Sequence, residues 1–273
     1  KSVSAQSVKL ATEPTTFITM TGGSIKVDGT LNTSGGLGGD IELISETGNL
    51  IVTGAIASSG GAGGAAGNIR LNSEGLIDVA STITANGGSN ANAGDITLDS
   101  QKSIKVGAAI TADAGAGASG DAGHISITAV DDIKTAGLNS RSSFFSAPGQ
   151  HAAGSITLVG GTISGTGAIT TNAYHGLHNG GTLHRGHGDG GAVNLTSTQG
   201  DITVNGAIDT SGGLPGAEGQ NTNNAGDITI NSAGNFKTTA TITADAGLFA
   251  TGDAGHISIC LLYTSPSPRD RTR

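Results

Sequence analysis

The sequence predicts an all-β chain wound as a right-handed parallel β-helix, a solenoid of about eight coils, and three observations predict it. A small-Gly-x-Ile anchor, followed two residues later by another aliphatic, recurs at spacings of 28, 27, 29, 31, 37, 35 and 29 residues. Each repeat of 27–37 residues carries short stretches in which apolar and polar positions alternate. Alternation with period two is the signature of a strand with one buried face, not of a helix. Corners rich in Gly and Asn separate the stretches. Three short strands cannot bury an apolar face alone, whereas stacked repeats bury a continuous core and pair every strand above and below. Parallel crossovers are right-handed almost without exception, which sets the expected hand. Eight rungs at the usual spacing make a rod about 40 Å long.

Residues 1–21 are expected to form a partial N-terminal coil or an irregular lead-in. Residues 22–31, GGSIKVDGTL, carry the last two units of an early repeat. The repeat domain then runs to 259 through the anchors GDIEL (39–43), GNIRL (67–71), GDITL (94–98), GHISI (123–127), GSITL (154–158), GAVNL (191–195), GDITI (226–230) and GHISI (255–259). A second unit follows ten or eleven residues after the anchor Gly, at Leu50/Val52, Ile77/Val79, Ile104/Val106, Ile133/Thr135, Ile202/Val204 and Phe236/Thr238. A third aliphatic comes four residues later, at Ile56, Ile83, Ile110, Ile169, Ile208 and Ile242. Stacking therefore sets Ile96, Leu98, Ile104, Val106 and Ile110 on Ile69, Leu71, Ile77, Val79 and Ile83. The parity of the first strand carries on into Ser45, Ser73, Ser100, Ala129, Gly160, Ser197 and Ser232. A column of small residues suits an inward-facing bend. The variable segments 58–66, 86–93, 113–122 and 211–225 follow the third strand, so they should line one flank of the rod, the natural place for binding residues. Their glycines are cheap wherever φ is positive.

Composition removes several classes. Gly and Pro together make up 53 of 273 residues, below the range of roughly 25–30% of unstructured low-complexity chains. A flexible linker would show no aliphatic columns. The net charge is −8, with no basic stripe, which disfavours nucleic acid and anionic membranes. No run of 18 apolar residues is present, so no membrane insertion is expected in this segment. The single cysteine, Cys260, argues against a disulfide scaffold or a zinc finger. Lys1 is not an initiator Met and no signal peptide follows, which fits an internal fragment.

The pattern G-D-I-T-L … G-x-I-x-V-x-G-A-I-x-A-x-G-G resembles the repeat region of filamentous-haemagglutinin-like bacterial exoproteins. These are large surface adhesins of the two-partner secretion type, related to contact-dependent inhibition exoproteins. The likeness covers about 22–259. It implies a secreted or cell-surface stalk without catalysis or cofactor, whose partners are glycans or proteins of a host or neighbouring cell. The family's amino-terminal secretion domain with its Asn-Pro-Asn motifs is absent here, as is a carboxy-terminal toxin or anchor. Residues 260–273 begin CLLYTSPSPRD, which resembles one translated frame of a common transposon-end sequencing adaptor. They are expected to be an artefactual tail outside the fold.

Five constellations bear on chemistry. Gly186-His187-Gly188 and Asp131-Asp132 are similar to two motifs of the polygalacturonases, β-helices that use paired carboxylates. Here they lie 55 residues apart without that family's Asn-Thr-Asp and Arg-Ile-Lys elements, and the Asp pair falls at the corner filled by Glu74-Gly75 and Gln101-Lys102. The insertion 172–191 holds His175, His178, His184 and His187, a candidate Zn, Cu or Ni site if the chain folds back; the alternative is a solvated polar loop. Segment 186–191 hints at a calcium nonapeptide, a motif that needs tandem copies. Asp40, Asp95 and Asp227 form an acidic column interrupted by Asn68, His124 and Ser155. Outward Thr97, Thr157, Thr203 and Thr229 suggest an ice-binding row, broken by Glu42, Arg70, Ser126 and Asn194. The expectation is a non-catalytic adhesive stalk, a monomeric rod with no metal or cofactor required. The alternatives are a polysaccharide-acting β-helix enzyme and a metal-binding module on the His-rich loop.

Overall fold

The structure, a computed structural model of the chain, describes residues 1–9, 17–115, 120–142, 151–165, 167–173, 175–177, 183–185, 188–213, 223–247 and 251–262. Among them no helix occurs; the chain is strands and corners. Nine strands that follow one another up the rod make the first sheet: Ile18–Gly22, Ile41–Ser45, Ile69–Ser73, Ile96–Ser100, Ile125–Ala129, Ile156–Gly160, Val193–Ser197, Ile228–Ser232 and Ile257–Leu261. The second and third units of each repeat stack into two further columns, joined at one end by a long strand to form a 16-stranded sheet. Every pairing within both sheets is parallel, as winding in one direction requires.

The register is the expected one. Ile96 pairs with Ile69, Leu98 with Leu71, Ile104 with Ile77, Val106 with Val79 and Ile110 with Ile83. All ten side chains are buried in one continuous cluster. Each contributes roughly 1.5–3 kcal/mol relative to exposure, and the stacking of branched side chains suits a pleated surface.

The amino-terminal end carries strands of its own. Strand β1 (Ser2–Lys9) pairs in parallel with β3 (Ser24–Asn32), with a bulge between Gln6 and Val8. Strand β2 (Ile18–Gly22) pairs with Ile41–Ser45 and starts the first sheet. Two units with shortened corners also join the columns. Ile163 and Gly165 stack beneath Ile202 and Val204, and Leu138 pairs with Ile110 and Ile169. At the other end the last strand runs through Cys260 to Leu261, past the boundary expected at 259. Residues 263–273 lie outside the described residues.

The column from Ser45 to Ser232 is buried throughout, and it does more than save space. Ser100 Oγ donates to Gly75 O of the coil below at 2.7 Å and accepts from Lys102 N at 3.0 Å. Ser45, Ser73 and Ser197 likewise donate to corner carbonyls. A bend leaves main-chain groups without ladder partners, and a short hydroxyl satisfies them inside the core. A second buried column of small residues, Thr33, Ser58, Ala85, Ala112, Ser140, Thr171, Thr210 and Ala244, follows the third strand. There the coil closes on itself: the anchor Gly amides at 67, 94, 123, 191, 226 and 255 donate to the carbonyls of Ser58, Ala85, Ala112, Thr171, Thr210 and Ala244.

The anchor glycines owe their place to close approach. A Cβ on Gly94, Gly123, Gly154, Gly191, Gly226 or Gly255 would lie inside 3.0 Å of the anchor Gly carbonyl one coil below. Only Gly29, Gly63 and Gly188 have positive φ among the described glycines, so backbone freedom explains few of them.

Candidate functional site

The variable segments follow the third strand of each coil, and their described residues stack on those of the next coil. Gly60 N donates to Asn86 O, Gly87 N to Asp113 O and Ala114 N to Arg141 O, each between successive coils. Further along, Ala66 N donates to Asn92 O, Ala93 N to Asp121 O and Ala122 N to Ala152 O. Gly88 and Gly115 sit so close to the carbonyls of Gly61 and Gly88 below them that no side chain fits. The flank is a laminated surface built from main chain.

Polar columns rivet it. Asp40 Oδ1 accepts from Asn68 N at 2.7 Å, Asn68 Oδ1 from Asp95 N at 2.8 Å, and Asp95 Oδ1 from His124 N at 2.8 Å. His124 Nδ1 then accepts from Ser155 N at 3.0 Å, so Asp, Asn and His do the same work in successive coils. Asp227 repeats it for His256. From Asp40 to Ser155 the column is thus one hydrogen-bond ladder in which residue type is exchangeable provided that the side chain offers an acceptor; Ala192 separates it from the Asp227 rung. Three residues earlier a second ladder joins Asn92 to Asp121 and Asp121 to Ala152, then Asp189 to Asn224 and Asn224 to Asp253. A third links Ser59, Asn86, Asp113 and Arg141. At its end Arg141 grips Asp113 twice, Nη2 to Oδ2 at 2.7 Å and Nε to Oδ1 at 3.3 Å. With Asp113 mostly buried, this is the strongest ion pair of the flank. One coil on, Asn172 Nδ2 donates to Asp209 Oδ2 at 2.6 Å.

The His-rich insertion folds back. His175–Leu177 and Leu183–Arg185 form an antiparallel ribbon in which His175 pairs with Arg185, Gly176 with His184 and Leu177 with Leu183. His175 and His184 therefore hold adjacent register positions, while His178 and His187 lie outside the described residues. No group of three or more His, Cys, Asp or Glu is placed to hold a metal ion among the described residues.

Two alignments differ from the expectation. Ile133 pairs with Ile104, so Asp131 and Asp132 stand over Lys102 and Ser103, one place further along the corner than Gln101-Lys102. Asp132 Oδ1 accepts from Thr162 Oγ1 at 2.6 Å, which ties it to the coil above. Thr203 lies in the 16-stranded sheet, paired with Ser164 and Lys237, and not in the row of Thr97, Thr157 and Thr229. That row reads Thr19, Glu42, Arg70, Thr97, Ser126, Thr157, Asn194, Thr229, Ser258, which has no regular threonine lattice.

No protein-family model matches this chain, and no curated protein or solved structure matches it either.

Proposed function

We propose that this chain is a non-catalytic, adhesive stalk segment of a large secreted bacterial surface exoprotein, presenting its loop-bearing flank to glycans or proteins of another cell. The observation that carries the reading is the flank itself. Its segments vary in sequence from coil to coil, yet the main chains of their described residues are joined by cross-coil hydrogen bonds. Varied side chains on an ordered, repeated frame suit recognition of an extended surface, and binding residues favour loops held by a rigid scaffold. Nothing in this role calls for a cofactor or nucleic acid.

The test is binding of the labelled rod to cell surfaces and to a glycan array. Ser89→Arg and Asp245→Arg, on the exposed flank, should reduce binding, and Arg70→Glu, on the first sheet, should not. Loss with Arg70→Glu alone, or release of sugar from a polysaccharide by the rod, would sink the reading. A second reading is metal capture by the His-rich insertion, whose two described strands run back antiparallel to each other. Titration with Zn²⁺ or Cu²⁺ checks it: saturable binding should vanish in His184→Ala plus His187→Ala, and binding that survives excludes this cluster.

A further inference from the structure

Three Asn-Gly pairs occur in the chain, and two of them, Asn86-Gly87 and Asn205-Gly206, lie among the described residues. Asparagine is a chemically labile residue, most of all before glycine, where no side chain shields the next amide nitrogen from the asparagine carboxamide. The fold treats the two pairs differently. On the flank, Asn86 Oδ1 accepts from Asp113 N at 3.0 Å, Asn86 N donates to Ser59 Oγ at 3.3 Å, and Gly87 N donates to Asp113 O at 3.0 Å. The side-chain carbonyl and the glycine nitrogen, the two groups that would have to meet, are both committed to the next coil.

Asn205-Gly206 sits in the bend between the strands Ile202–Val204 and Ile208–Asp209, where the second column passes to the third. Asn205 is exposed, its side chain makes no hydrogen bond among the described residues, and Gly206 N donates to no acceptor among them. Only the main chain of Asn205 is engaged: its N donates to Gly165 O at 3.2 Å and its O accepts from Thr239 Oγ1 at 2.8 Å. Glycine is required at 206, because a Cβ there would collide with the main chain of Gly167 and Ala168. The bend therefore demands the glycine and leaves the asparagine carboxamide before it unrestrained.

From this contrast we infer that Asn205 is a site of spontaneous deamidation, with water as co-reactant, and that Asn86 is protected from the same reaction by its ladder. Gly206 N gives up its proton to water or hydroxide and attacks Asn205 Cγ. The bond from Cγ to the side-chain nitrogen breaks, ammonia leaves, and a cyclic succinimide remains. Water then adds to one of the two imide carbonyls. Opening one C–N bond gives aspartate; opening the other gives isoaspartate, whose main chain runs through the former side-chain carbon. The net change converts one amide and one water into one carboxylate and one ammonium. Aspartate adds a negative charge beside Thr239, and isoaspartate adds a backbone carbon to the link between Val204 and Ile208, both fully buried. The site stands apart from the adhesive reading, which concerns the flank.

Ageing of the whole chain at mildly alkaline pH, folded and in urea, decides it, followed by peptide mapping with mass spectrometry and enzymatic methyl labelling of isoaspartate. In the folded protein Asn205 should convert roughly tenfold or more faster than Asn86, whose two cross-coil hydrogen bonds must open first. In urea the two rates should converge, since both asparagines precede glycine. Asn205→Ser should abolish acid formation at this position and leave the slow rate at Asn86 unchanged. An Asn205 that stays intact while folded and reacts only in urea overturns the inference. So does an Asn86 that reacts as fast as Asn205 in the folded protein, or a difference in rate that persists undiminished in urea.

Discussion

Replacing Gly94 by Ala adds one methyl group at a point of close approach between coils and changes nothing else. The new Cβ would fall inside 3.0 Å of both the carbonyl oxygen and the carbonyl carbon of Gly67. Both atoms are main chain, and neither coil is free to move. Gly94 N donates to Ala85 O at 2.9 Å, Ile69 N to Asp95 O at 2.9 Å and Ile96 N to His124 O at 2.8 Å, so relief at one contact stretches the others. Overpacking a well-filled site costs about 1–3 kcal/mol, and a rigid backbone obstacle puts this case near the top, about 3 kcal/mol. At about 2–4 °C per kcal/mol for a chain of this size, the melting temperature should fall by about 6–12 °C. Gly36→Ala is the control. A Cβ there meets nothing within 4 Å, so its effect should stay within about 1 kcal/mol and could be stabilising through the unfolded chain. Thermal unfolding followed by circular dichroism gives both numbers, and hydrogen exchange at the Ile96 and Ile69 amides localises the loss. Equal melting of Gly94→Ala and the parent, or equal damage from Gly36→Ala, would refute the close-approach account of the anchor glycines.

Three further outcomes follow from the packing. Ile96→Asp buries an unpaired carboxylate between Ile69 and Ile125 and should cost more than about 4 kcal/mol, read as loss of the folded baseline at ambient temperature. Ser100→Ala keeps the shape that Ala129 already has one coil on, so it isolates the hydroxyl's hydrogen bonds and should cost about 1 kcal/mol in a denaturant titration. Asp113→Ala removes a mostly buried partner of Arg141 and should cost about 2 kcal/mol, whereas Lys26→Ala, which breaks an exposed pair with Asp28, should cost less than about 0.5 kcal/mol; a reversed order would mean that burial does not set the worth of these pairs.

The coil and its register were legible in the sequence because one physical requirement, an apolar side chain at every second position of three short strands, repeats with every turn. Ile96 over Ile69 could be read from spacing alone, since a slip of one residue would turn the whole set outward. Legibility failed where a coil departs from its mean. Leu138 follows Thr135 by three residues where the other coils take four, and Ile163 follows Gly154 by nine where they take ten or eleven. Strand β2 has no anchor glycine before it, and β1 has no repeat beneath it to be compared with.

What the sequence determined by itself is the winding: period, core columns, the small-residue corner and the side on which the variable segments emerge. These are local consequences of alternation and length. The tertiary structure decided everything that depends on the distance between coils. The glycines recur because a carbonyl from the coil below stands where a Cβ would be, and not because of positive φ. Asp40, Asn68, Asp95 and His124 look like a broken acidic row in the sequence, but stacked they are one ladder of acceptors. Contacts between residues some 27–37 positions apart are set by how one coil rests on the next, and no single coil's sequence contains that.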